Sequence, residues 1–165
     1  MSELTLIRGY RVWGVDPSGH LMSTAWTHTW HSPAVQAECK YKGWDEEGQS
    51  RLHEEGQCPH PACSCGYYAH KEMRAALYDL DTWTNPLVDY WPTYPIYAIG
   101  TCVLWGKVIE HEMGWRAEWA EPESLYVPGG TIALLDAIHE KYPEVVLLTA
   151  MPEPESDLTT LPGLW

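Results

Sequence analysis

The sequence contains no phenylalanine and is poor in positive charge, with ten lysines and arginines against 23 aspartates and glutamates in 165 residues. The net charge of −13 argues against general nucleic-acid binding, because contacts to phosphate groups need basic side chains. The same charge permits a basic protein partner, or a small ligand held in a local pocket.

Long hydrophobic runs are also missing. No stretch is apolar over enough length to span a bilayer, and residues 1–8 lack the charged and apolar regions of a signal peptide. We therefore expect no membrane association and a cytoplasmic location, where thiols stay reduced. The motifs of the common hydrolases, metalloproteases, P-loop proteins and dinucleotide-binding enzymes are absent as well, so we expect a non-enzymatic protein.

Soft metal ligands, in contrast, are concentrated in residues 58–66, which we call the cysteine loop. Structural zinc takes four sulfur or nitrogen ligands, and clustered cysteines in a reducing compartment point to metal or redox chemistry before disulfides. The chain has five cysteines, an odd number that leaves at least one thiol outside any disulfide scheme. The sequence therefore predicts a zinc site, with the candidate ligands Cys39, Cys58, His60, Cys63 and Cys65.

Within this set, Cys63 and Cys65 are the first choice because they can hold one ion across a tight turn, and Cys39 is the next. The fourth ligand is left open between Cys58 and His60, and His53 is a further candidate from outside this set. Four protein ligands leave no open position, so the zinc is expected to be structural and to contribute on the order of 10 kcal/mol. Free loop thiols, or a Cys39–Cys58 disulfide, are the alternatives.

Hydrophobic patterning around the cysteine loop predicts an α+β fold, with a small mixed or antiparallel sheet of hairpins, two helices and a zinc-clipped loop. A single domain is expected over residues 1–150, followed by an acidic, proline-rich, loosely ordered tail at 151–165. The predicted elements are a hairpin in residues 5–26 that turns at Asp16–Gly19, a helix over Tyr67–Tyr78, a strand over Ile96–Ile109, a second hairpin that turns at 112–114, a helix capped by Thr131 and a strand over Val145–Leu148.

Large aromatic side chains are plentiful, with ten tryptophans and ten tyrosines. Several lie in the proline-rich connection before the central strand, where they could form a cage or stacking platform for a base or a cation. Equally, they could wrap the core where the chain is irregular. The candidates for ligand or partner binding are Trp83, Tyr90, Trp91 and Tyr94.

Two stretches carry a resemblance to a known group. They are Pro59–Ala69, with its Cys-Ser-Cys-Gly-Tyr-Tyr-Ala run, and Gly100–Pro122, which contains Leu104–Glu112 and Gly114–Glu118. In these stretches, and in Tyr10–Trp13 and the region of Cys39, the chain resembles uncharacterised proteins of actinobacteria and their phages. The resemblance extends to Val146 and excludes the acidic tail. It implies the metal site and a bacterial or phage setting, and no mechanism.

These observations lead to three hypotheses of function. The first is a zinc-stabilised binding module, phage-encoded, that engages a host or phage protein through its surface tryptophans and tyrosines. The second is a reader of a small ligand or modified nucleotide, by fold-level analogy with PUA-like domains, because a glycine-bearing strand follows an aromatic-rich link. The third is a metal-dependent enzyme, which would need an open ligand position on the metal.

Overall fold

The computed structural model describes residues 5–25, 28–39, 53, 56–87 and 94–154. These residues contain two helices and six strands, as the predicted α+β class requires. In chain order the elements are β1 (Ile7–Val15), β2 (Leu21–Met22), β3 (Tyr67–His70), α1 (Met73–Thr84), β4 (Ile96–Glu110), β5 (Gly114–Tyr126), α2 (Ile132–Lys141) and β6 (Val146–Leu147).

All six strands belong to one sheet, in which every strand pair is antiparallel except β5–β6. β4 pairs with β1 along one edge and with β5 along the other. β3 pairs with β5 and also meets β1 where His70 lies opposite Tyr10. The strands β1, β4, β5 and β3 therefore form a closed circuit, which gives the sheet an inner and an outer face.

Gly100 allows the long strand β4 to lie very close to its neighbour β5. A Cβ atom at this position would lie 1.8 Å from the carbonyl oxygen of Ser124 on β5, so no side chain fits there. The pairing of β4 with β5 shifts register just after this point, between Thr101 and Cys102. Gly100 therefore permits the close approach of β5 to β4.

The prediction of a helix over Tyr67–Tyr78 is wrong at its start, and the helix also continues past the predicted end to Thr84. Tyr67–His70 form β3, with Tyr67 and Ala69 buried, and α1 begins only at Met73. Tyr67, Tyr68 and Ala69 form a short run of apolar residues, and periodicity alone does not distinguish a strand from a helix over so few positions. The buried positions Met73, Ala76 and Leu80 do follow the helical period within α1.

Helix α1 covers only part of the outer face of the sheet. Its buried side chains pack with Tyr10, Val12, Tyr97 and Ile99, which all lie on that face. This cover explains why both faces of β4 are buried from Tyr97 to Gly100, and why its outer face becomes half-exposed from Thr101 onward. Side chains on the inner face form the main core, which also contains Trp30 from the segment after β2 and Ile138 from α2.

Helix α2 begins as predicted, since the hydroxyl of Thr131 accepts a hydrogen bond from the backbone N–H of Leu134. Just after its last turn, the hydroxyl of Tyr142 donates to the carbonyl of Trp30 (2.7 Å) and accepts from the backbone N–H of Leu21 (2.9 Å). Tyr142 is 2 % exposed. One phenol therefore joins α2, the first hairpin and the segment that follows it.

We expect Tyr142→Phe to lower the free energy of unfolding by about 2–3 kcal/mol, because it leaves a buried N–H and a buried C=O without partners. Urea denaturation should show a lower midpoint with an unchanged slope. Tyr78→Phe is the matched control, because Tyr78 is 73 % exposed and should change the midpoint very little. Equal midpoints for the Tyr142 variant and the wild type would contradict this role.

No helix in the described residues has both the length and the apolar character that are needed to cross a membrane. Residues 151–154 follow β6 without regular structure, and the rest of the predicted tail lies outside the described residues. The boundary at residue 150 therefore stays a prediction.

Candidate metal centre

Four soft donors from three separate parts of the chain meet beside the sheet. The thiols of Cys39, Cys63 and Cys65 and one ring nitrogen of His53 all lie within 4.8 Å of one another. Cys63 and Cys65 belong to the cysteine loop. Cys39 lies alongside β5 because the backbone N–H of Ala37, two residues earlier, donates a hydrogen bond to the carbonyl of Glu118 at 2.8 Å. We call these four residues the Cys₃His cluster.

The spacing within the cluster fits a shared cation better than a disulfide. The sulfur atoms of Cys39 and Cys63 are 3.5 Å apart, and all five cysteines are free thiols. A disulfide bond needs about 2.05 Å. A tetrahedron with metal–sulfur bonds of about 2.3 Å has edges of about 3.8 Å. The Cys65 sulfur lies 3.3 Å from Nε2 of His53, close to that edge length.

Arg116 on β5 holds the cysteine loop against the sheet. Its side chain is 7 % exposed, and its Nη1 donates to the carbonyls of Cys63, Cys65 (2.7 Å) and His60 (3.4 Å). Its Nε donates to Nε2 of His111 at 2.8 Å. His111 therefore accepts at Nε2 and carries its ring proton on Nδ1. One guanidinium fixes the backbone of both loop ligands.

The electrostatics of the two loop thiols differ. Burial alone would raise the pKa of Cys63, but hydrogen bonds from the Cys65 backbone and from neighbouring side chains bring it below its ordinary value. Burial, together with the adjacent sulfurs of Cys58 and Cys63, raises the pKa of Cys65 to about 12. Crowded thiols cannot all ionise unless a cation is shared between them. Three thiolates and one divalent cation leave a single negative charge, which Arg116 balances.

Two predicted ligands lie next to the cluster without belonging to it. Cys58 is 3 % exposed and its thiol makes a hydrogen bond with the Cys65 thiol, and burial raises the pKa of Cys58. The ring of His60 stacks on that of His53 with centroids 4.7 Å apart, and its Nδ1 accepts from the backbone of Ala62. Desolvation, His53 and Lys107 together lower the pKa of His60. The structure thus places His53, the outside candidate, in the fourth position.

The aromatic candidates for ligand binding are only partly described. Tyr90 and Trp91 lie outside the described residues. Trp83 and Tyr94 both pack against the core under α1. The ring of Tyr94 covers Gly14, where a Cβ atom would lie 2.1 Å away, and its hydroxyl donates to the carbonyl of Ser23. Tyr94 therefore contributes to packing at the first hairpin, and Trp83, near the end of α1, packs against the core beneath that helix.

Cys102 lies on the inner face of β4, where it is fully buried. Burial raises the pKa of its thiol to about 12, so it packs as a small apolar side chain. No local pattern in the sequence singles out Arg116. Its only local signal is an arginine among alternating tryptophans and alanines on β5, at a position that the pattern assigns to the solvent side.

The four donors of the Cys₃His cluster are enough to fill all four positions of a tetrahedral metal site. Such a site can hold a zinc-like cation and tie residues 39, 53 and 63–65 to the sheet. No protein-family model matches the chain, and no curated protein or solved structure shows a significant similarity to it.

Proposed function

We propose that this protein is a zinc-stabilised, non-enzymatic binding module that acts by engaging another protein. The observation that supports it best is the complete Cys₃His cluster, in which all four donors come from the chain. A cation bound by four protein ligands has no position for water or substrate, so its contribution is to stability. Zinc fits this donor set because it accepts thiolate and imidazole ligands in tetrahedral geometry.

The case for a protein partner comes from charge and surface composition. A net charge of −13 favours a basic partner and disfavours nucleic acid. Tryptophan is enriched in protein interfaces, and several of the chain's tryptophans remain half-exposed. On the resemblance stated above, the setting that we propose is the cytoplasm of a bacterial host, with a host or phage protein as the partner.

The test uses the full-length, zinc-loaded protein as bait in bacterial lysate. We expect one partner to be retained in fixed stoichiometry and the complex to form again from the two purified proteins. An unrelated acidic protein of similar size serves as the control for charge alone. If the folded, zinc-loaded bait retains nothing beyond that control, the binding function is wrong. Stabilisation by nucleosides or modified nucleosides in a thermal-shift series would favour the reader hypothesis instead.

A further inference from the structure

Helix α1 covers the outer face of the sheet at one end only, and at the other end the side chains on this face are half-exposed. At the uncovered end Trp105 of β4 lies directly opposite Trp119 of β5, and in the adjacent row Val103 lies opposite Glu121. Leu6, immediately before β1, is 43 % exposed. We call Val103, Trp105, Trp119 and Glu121 the tryptophan face.

The two indoles are held in a defined arrangement. Their planes are within 10° of parallel and their centroids are 6.4 Å apart, and both side chains are half-buried. Gly106 makes this possible, because it takes φ of +78° in the bulge between the two strands and a Cβ there would lie 2.6 Å from Trp119. Large aromatic side chains fixed in this way lose little conformational entropy when they bind a partner.

The charges around the tryptophan face are mostly negative. Glu118, Glu121 and Glu123 lie along this part of β5, and Arg8 is committed to Glu123 through an ion pair of 2.5 Å. The carboxylate of Glu121 accepts from the backbone N–H of Ala34 at 2.6 Å, which fixes it without cancelling its charge. The backbone N–H of Lys107 donates to the carboxylate of Glu118 at 3.0 Å, and the charge of Lys107 also contributes to the lowered pKa of His60.

We propose that the tryptophan face binds an arginine side chain from a basic, extended segment of the partner protein. Indole rings attract a guanidinium through their π faces, and Glu121 can pair with the same group. A second copy of this chain is disfavoured as the occupant, because two surfaces of a protein with charge −13 repel each other. This inference rests on the proposed function and names the surface and the chemistry that it uses.

The test titrates a short alternating glycine–arginine peptide into the full chain and follows the indole N–H signals by NMR. We expect the signals of Trp105 and Trp119 to shift, and the same peptide with citrulline in place of arginine to cause no shift. Trp119→Leu and Glu121→Gln should each weaken binding about tenfold. The matched controls are Tyr78→Leu and Glu112→Gln, which remove an exposed ring and an exposed charge elsewhere.

Unchanged affinity in the Trp119 and Glu121 variants, or no shift at millimolar peptide, overturns the proposal. It is also overturned if the wild-type protein is a dimer and the Trp119→Leu variant is a monomer. Binding of the peptide only after removal of residues 155–165 would overturn it as well. These failures are distinct from a failure of the proposed function. A partner that the wild type and Trp119→Leu capture equally well would leave protein binding intact and assign it to another surface.

Discussion

Replacing Cys65 by alanine is expected to abolish stoichiometric zinc binding and to leave the chain unfolded. Structural zinc contributes on the order of 10 kcal/mol in small domains, which is comparable to the whole stability of a domain of about 5–15 kcal/mol. His53→Ala should have the same effect, because His53 supplies the fourth donor of the Cys₃His cluster. Native mass spectrometry with elemental analysis measures the metal, and circular dichroism measures the fold.

The matched controls for this result are Cys58→Ala and His60→Ala, since both residues adjoin the cluster without belonging to it. Each should keep one zinc per chain, and Cys58→Ala should cost only the packing of a small buried side chain. Loss of zinc from Cys58→Ala with retention in His53→Ala would assign the fourth ligand to Cys58. A wild-type chain that folds without any metal would remove the site altogether.

The second large effect is expected at Arg116. Arg116→Met keeps the apolar stem but removes the guanidinium that holds the carbonyls of Cys63 and Cys65. We expect a loss of about 3 kcal/mol in stability, because buried acceptors lose a charged donor. Zinc affinity should also fall by about 10–100-fold, as it does when the groups that orient metal ligands are lost. Competition with a chromophoric chelator measures the affinity directly.

Arg116→Lys tests whether charge alone is enough. An ammonium group cannot reproduce the planar fork that reaches several carbonyls at once, so we expect only partial recovery. Arg74→Met is the matched control, because Arg74 is exposed on α1 and should change neither stability nor metal affinity measurably. Unaltered zinc affinity in Arg116→Met would mean that the cysteine loop holds its own shape.

Local patterns predicted the parts of the fold that depend on them. The turn after β1, the strand β4, the cap of α2 and the density of thiols in the cysteine loop were all visible in the sequence because each rests on neighbouring residues. The strand Tyr67–His70 was missed because its partners, β1 and β5, are remote in the chain. His53 was only an outside candidate for the same reason. Nothing in its own neighbourhood shows which donors the fold brings to it.

The closed circuit of strands has a consequence for the order in which the protein folds. Its closing contact, between Tyr10 and His70, joins segments that are far apart in the chain, and pairings of this kind form slowly because a long loop must close first. A cation held by Cys39, Cys63 and Cys65 would close the part of that loop from Cys39 to Cys65 beforehand, which leaves a shorter loop to close. The cation proposed to stabilise the domain would then also act early, by shortening the loop that must close before β1 meets β3. In this view metal uptake is a step of folding and precedes completion of the sheet.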